Sequence, residues 1–134
     1  MPWLLARTSL RRKIDDAAEF NVVVTDDTGI APLNSRYFGR FAPTDVISFA
    51  YPPSPERHAF FGELIVNVER AAACSPDLAR ELALYLAHGC DHLAGASDRT
   101  PAQRRRMLRR ERAWLRQADQ ENLLAGLAQP SRAA

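Results

Sequence analysis

Two histidines and an aspartate have the types and spacing of a metal site. His88 and His92 are four residues apart, which on a helix puts both imidazoles on one face, about one turn apart, where a single Zn²⁺ can bridge them. Gly95 can then turn the chain, and Asp98 returns a carboxylate. Two imidazoles, one carboxylate and an open fourth position suit a catalytic zinc site. We therefore expect one zinc ion per chain, with nickel or another divalent metal as alternatives.

The same two histidines have a simpler explanation, as core or boundary residues of a helix. The chain has only 3 histidines, and two of them fall at ligand spacing ahead of a turn glycine and an acid, which favours a metal. Gly89 argues against a peptidase of the His-Glu-x-x-His type, because that position supplies the general base there. Asp91 is a catalytic candidate that could orient a histidine or act as a base, or it is a solvated helix residue. Cys90 is expected to pack on the opposite face.

The elements that must position these residues can be predicted from periodicity. A helix is expected from Ser75 as N-cap to Gly95, with Pro76 in its first turn and Leu78, Leu82, Tyr85, Leu86 and Gly89 as its core stripe. A last helix begins at Thr100 and Pro101 and turns four apolar side chains inward: Met107, Leu108, Trp114 and Leu115.

Upstream of these helices, alternating or β-branched runs predict three strands, at 20–25, 45–50 and 62–68, the second paired with the third. A helix is expected over 3–18 and a short helical turn over 28–34.

Length and composition bound the class of protein. At 134 residues, with 46% hydrophobic and 25% charged residues, the chain predicts a single globular domain at 1–118 and a C-terminal tail at 119–134. No run approaches the ~20 apolar residues that cross a bilayer, and the start lacks the order of a secretory signal. We therefore expect a cytoplasmic protein without membrane contact, its 2 cysteines reduced.

Charge is distributed unevenly along the chain. Residues 1–13 carry +4, residues 14–98 carry −8, and residues 99–116 carry +7. The basic helix is either a solvated face or a stripe that attracts RNA phosphates toward the metal. Its aromatic residue, Trp114, is predicted to turn inward and not to interleave the exposed arginines as base stacking would require, so we expect backbone charge to lead binding there. The candidate RNA-binding residues are Arg36, Arg40, Arg104, Arg105, Arg109 and Arg112.

Three strings together resemble a known family. They are His88-Gly89-x-x-His92-x-x-Gly95-x-x-Asp98, the segment 43–49 (Pro-Thr-Asp-Val-Ile-Ser-Phe) and the segment 62–66 (Gly-Glu-Leu-Ile-Val). In order and spacing they resemble the YbeY family of rRNA maturation factors, which are metal-dependent single-strand endoribonucleases. Comparable residues elsewhere are Leu33, Asn34, Met107, Glu111, Trp114 and Leu115.

The resemblance implies an α+β fold, with a small mixed sheet flanked by helices and a metzincin-like metal site at the C-terminal end of a central helix. It implies that His88, His92 and a third ligand hold the metal. The family's third ligand is usually a histidine, and Asp98 stands in that place here. An arginine usually precedes Gly39, where this chain has Phe38, with Arg36 and Arg40 close by.

The function expected from the resemblance is zinc-dependent, single-strand-specific cleavage in rRNA maturation, including 16S rRNA processing and ribosome quality control. The partners would be a single-stranded rRNA precursor and the ribosome or ribosome-associated proteins. Phe38 motivates an alternative, a metal-binding ribosome-assembly factor without cleavage activity. A hydrolase of another substrate on the same site is a further alternative. The sequence does not indicate an oligomeric state.

Overall fold

The computed structural model describes residues 2–7, 18–124 and 127. Along the chain the elements are α1 (Pro2–Arg7), β1 (Glu19–Thr25), α2 (Asp27–Phe38), β2 (Val46–Tyr51), β3 (Phe61–Asn67), α3 (Val68–Cys74), α4 (Leu78–Leu93) and α5 (Pro101–Gln120). The α+β class with a small mixed sheet is thus confirmed. Among the described residues no helix is long and apolar enough to cross a membrane.

The sheet has β3 at its centre, in the order β1-β3-β2. β1 runs parallel to β3, and β2 runs antiparallel to it with Ile47 opposite Ile65. The predicted pairing of the second and third strands is therefore confirmed. Because β2 is an edge strand, its outer side stays open to the site described below.

Successive side chains of β3 point to opposite faces of the sheet, and each face is covered by helix. On one face Ile65 packs with Ile47 and with Ile30 of α2. On the other, Leu64 packs with Cys90 and Leu93 of α4. Helix α4 is thus fixed against the sheet by Cys90, which lies between the two histidines in the sequence, and by Leu93, which follows His92. This packing limits the directions that the two imidazoles can take.

Three local predictions differ from the structure. Helix α4 begins after Asp77 rather than Ser75, because the Asp77 carboxylate accepts the N–H of Arg80 while Ser75 Oγ accepts the N–H of Asp77. The predicted turn at 28–34 is part of the three-turn helix α2, which contains Pro32 in its interior. Leu108 is 37% exposed and does not face the core.

Helix α3 was not predicted, although Asn67 marks its start. The Asn67 side chain accepts the N–H groups of Glu69 and Arg70, and the residue is fully buried. A polar residue at the end of an apolar strand can act as the cap of a following helix, a signal that the alternation of β3 obscured.

The predictions for the first and last segments of the chain can be compared with the structure only in part. The predicted helix at 3–18 appears as α1, and its remaining part at 8–17 lies outside the described residues. Helix α5 starts at the predicted cap Thr100, with a capping box to Gln103, and continues to Gln120. The division into a domain at 1–118 and a tail at 119–134 stays a prediction.

Replacing Gly89 by glutamate should lower the stability of the folded protein, because neighbouring side chains crowd the place of a side chain at this position. A Cβ at this position would lie 2.7 Å from Leu64 Cδ2 and 3.2 Å from Ser48 Oγ. We expect Gly89→Glu to lower the free energy of unfolding by about 3 kcal/mol or more, since it overpacks the core and buries an unpaired carboxylate. Urea denaturation measures this change. Ala102→Glu, on the exposed first turn of α5, is the control, and equal stability of the two variants would contradict the prediction.

Candidate metal centre

The two histidines lie on the last two turns of α4 and point toward a common centre. Their Nε2 atoms are 3.1 Å apart, and Asp98 Oδ2 lies 3.4 Å from Nε2 of His92. One ligand atom from each of the three residues lies within 4.8 Å of the other two. The structure therefore brings the three predicted ligands together at the C-terminal end of the helix.

The hydrogen bonds on the far side of each ring indicate that the site fits a cation. His88 Nδ1 lies 3.0 Å from a carboxylate oxygen of Glu111, and His92 Nδ1 lies 3.2 Å from the carbonyl oxygen of Ala96. The carbonyl oxygen of Ala96 can only accept, so His92 Nδ1 carries a proton, and an ionised Glu111 likewise accepts the Nδ1 proton of His88. Neutral rings in these tautomers turn two Nε2 lone pairs toward each other. A positive ion between them relieves this opposition, and nitrogen with carboxylate oxygen is a donor set that suits zinc.

Glu111 is the residue of the centre whose role was not predicted from the sequence. It lies on α5, is 1% exposed, and has both carboxylate oxygens within 3.1 Å of His88 Nδ1. Burial raises the pKa of Glu111 to about 7, helped by Asp91 and opposed by His88. Burial lowers the pKa of His88, but the hydrogen bond and charge of Glu111 outweigh it, so that pKa is raised. The sequence signal that could have indicated this role is a single acid on the apolar side of a helix whose other charged residues are mostly arginines.

The loop between α4 and α5 brings Asp98 to the histidines. Gly95 has a positive φ of 100°, which turns the chain back at the end of α4. Arg104 Nη1 donates to the carbonyl oxygen of Asp98 at 3.0 Å, which fastens the far end of the loop to α5. The third ligand is therefore held by the turn on one side and by α5 on the other.

The centre opens into a cavity of about 440 Å³ beside the edge strand β2. Besides the three ligands, its wall includes Asn34, Phe38, Arg40, Asp45 and Ser48. A second cavity of about 260 Å³ shares Asp45 and His88 with the first and adds Arg70, Leu108 and Glu111. The exposure of Leu108 follows from this position, because its side chain lines a cavity instead of the core.

Asp91 contacts neither imidazole directly, and its catalytic role stays a prediction. Its carboxylate is buried and forms a two-pronged ion pair with Arg110, with Nη2 2.8 Å from Oδ2 and 2.9 Å from Oδ1. All four ring nitrogens of His88 and His92 have other partners. Asp91 is therefore a link between α4 and α5, and its hydrogen bond to Glu111 connects it to His88 through that residue.

The predicted arginines fall into separate groups. Arg40 lines the cavity, whereas Arg36 lies over the Tyr37 ring, 5.5 Å from its centroid. Arg104 supports the Asp98 loop. Arg105, Arg109 and Arg112 are exposed on the side of α5 opposite its buried residues, so their RNA contact stays a prediction.

Fold and centre together define a class: an α+β protein with a cluster of two histidines and one carboxylate, able to hold a metal ion, at the end of a central helix. The sequence profile described as "Endoribonuclease YbeY" matches residues 2–119. The endoribonuclease YbeY of Roseiflexus sp. (strain RS-1) is 36% identical over 110 residues, 73% of this chain and 69% of that protein. The chain therefore belongs to the YbeY family.

Two further similarities agree with this assignment. The endoribonuclease YbeY of Geobacillus kaustophilus is 31% identical over 135 residues, covering 91% of this chain and 81% of that protein. The solution structure of TM1509 from Thermotoga maritima matches with a TM-score of 0.56 and 20% identity, over 94% of this chain and 84% of that one. At that identity the likeness supports the fold alone.

Replacing Glu111 by glutamine should weaken metal binding without removing a ligand. The substitution keeps the side-chain shape but takes the negative charge from His88 Nδ1, so the ring is less firmly oriented and less basic. We expect zinc affinity to fall by about 10- to 100-fold. Competition against a chromophoric chelator measures the affinity. His58→Ala, at an exposed loop histidine, is the control, and unchanged affinity in Glu111→Gln would show that the pair does not serve the metal.

Proposed function

We propose that this protein is a zinc-dependent, single-strand-specific endoribonuclease that acts on rRNA precursor in the cytoplasm, including 16S rRNA processing and ribosome quality control. The observation that carries the proposal is the convergence of His88, His92 and Asp98 on one centre, within a chain of the YbeY family. The ribosome or ribosome-associated proteins are its proposed partners, and nickel or another divalent ion is the alternative metal.

Each residue of the centre has a definite part in this activity. His88, His92 and Asp98 would hold the ion, which would polarise a phosphoryl oxygen and lower the pKa of its water. Glu111 keeps His88 in the tautomer that presents Nε2 to the centre. Arg40 and Arg70 line the two adjoining cavities and would hold phosphates on either side of the cleaved bond.

Phe38 favours a second candidate, a metal-binding assembly factor that does not cut RNA. It lines the cavity at the position where the resemblance leads one to expect a guanidinium. Arg40 lines the same cavity, however, so a guanidinium remains available to a phosphate there. On this ground we prefer the enzyme.

Loss of one imidazole should abolish RNA cleavage. With metal-loaded protein and a labelled single-stranded segment from the 3′ end of 16S rRNA precursor, we expect His92→Ala to cut at least about a hundredfold more slowly than wild type, because a direct ligand matters more than its hydrogen-bond partner. Gel analysis of the products measures the rate. Chelation of the wild type should have the same effect.

The control for this experiment is His58→Ala, which should cut as the wild type does. Equal and negligible cutting by wild type and His92→Ala, at full metal content of the wild type, would favour the assembly factor. Cleavage of small esters that persists in excess RNA would favour a hydrolase of another substrate.

The arginines on the exposed side of α5 should contribute to the salt dependence of RNA binding. Each phosphate contact on a single strand contributes about −0.7 to the slope of log K against log salt. We expect replacement of Arg105, Arg109 and Arg112 by glutamine to make the slope shallower by about 2. Anisotropy titrations over a salt series measure it. Arg80→Gln is the control, because that guanidinium pairs with Asp119. An unchanged slope in the triple variant would exclude the α5 arginines from the RNA site.

A further inference from the structure

Four aromatic rings form a continuous strip beside the metal cavity. The rings of Phe38 and Phe49 are stacked with centroids 6.5 Å apart and 22° between their planes. Phe49 then contacts Tyr51 at 6.4 Å, and Tyr51 contacts Phe61 at 5.4 Å. We call these four residues the aromatic strip. The aromatic strip runs from α2 across β2 to the start of β3.

The aromatic strip is only partly covered by protein. Phe38 is 54% exposed and Tyr51 is 39% exposed, while Phe49 and Phe61 are half-buried. Tyr37 packs its ring against the edge of Phe49 and is itself 53% exposed. Packing of the core does not explain these exposed rings. Apolar side chains that adjoin one another at the surface instead indicate a binding site.

Arginines accompany the aromatic strip along its length. Arg57 lies over both Tyr51 and Phe61, 5.3 Å and 5.1 Å from the ring centroids. Arg36 lies over Tyr37, and Arg40 lines the metal cavity close to Phe38. Within the described part of the chain none of the three arginines pairs with a carboxylate. The acid beside Phe49 on the neighbouring strand, Glu63, accepts a hydrogen bond from Asn21.

The aromatic strip is continuous with the metal centre through Phe38. This residue stacks on Phe49 and also lines the cavity that contains His88, His92 and Asp98. A strand whose phosphate reached the centre would therefore pass directly onto the first ring. Successive rings at 5.4 to 6.5 Å then follow in one direction, away from the centre.

We propose that the aromatic strip binds the bases of single-stranded RNA next to the cleaved bond, with Arg36, Arg40 and Arg57 contacting its phosphates. The inference rests on the proposed function and adds to it the reason for single-strand selectivity. Partly exposed rings, accompanied by arginines that pair with no carboxylate, match the way in which proteins hold unpaired strands, by stacking of bases and attraction of phosphates. Bases within a duplex are already stacked on their neighbours and cannot use the strip.

Removal of one ring should weaken binding of RNA bases specifically. We would measure anisotropy of a labelled single-stranded RNA from the 16S precursor, and of an abasic ribose-phosphate strand of equal length, with metal-loaded protein and within a time in which gel analysis finds both strands intact. Tyr51→Leu should bind the RNA about 5- to 150-fold more weakly and leave the abasic strand unaffected. Tyr51→Phe keeps the ring and should bind both strands as the wild type does.

The outcomes separate this inference from the proposed function. Equal affinity of the wild type for RNA and for the abasic strand would overturn base stacking, as would equal weakening of both strands in Tyr51→Leu. If metal-dependent cleavage is present in either case, the proposed function stands while the strip fails. A concentration-dependent dimer of the wild type that is lost in Tyr51→Leu would also overturn the inference, because the rings would then bind a second copy of this chain.

Discussion

The metal centre depends on two imidazole nitrogens held 3.1 Å apart with their lone pairs directed toward each other. Neutral rings would turn away from this arrangement unless their other nitrogens were fixed. The carboxylate of Glu111 and the carbonyl oxygen of Ala96 fix them by accepting both Nδ1 protons. The packing of α4 between the sheet and α5 serves the same end, since it keeps the helix from rotating the histidines out of the cavity.

The sequence was most informative where one short segment contains the relevant residues. His88, His92, Gly95 and Asp98 lie within a few helical turns of each other, so helical spacing and a glycine turn were enough to predict their convergence. The three strands followed from alternation, and the start of α5 followed from its cap. In these cases the physical signal is local, and tertiary structure only adds to it.

The partners of these residues could not be predicted because they depend on the register between α4 and α5. Glu111 and Arg110 are neighbours in an arginine-rich helix, yet one contacts His88 and the other holds Asp91. A helical wheel places Glu111 among the buried residues of α5 and Arg110 beside them, without telling which residue of α4 each will meet. The aromatic strip is a similar case, because it joins rings from α2, β2 and β3 that only the fold brings together.

The fastening of Asp98 to α5 means that the centre spans two helices. His88 and His92 belong to α4, while Arg104 ties the loop of the third ligand to α5, and Glu111 reaches back from α5 to His88. An ion held by all three ligands would act as a cross-link between the helices. Its binding energy would add to the stability of their association, and separation of α5 from α4 would release the ion. Metal binding and association of this helix pair would in that sense stabilise each other.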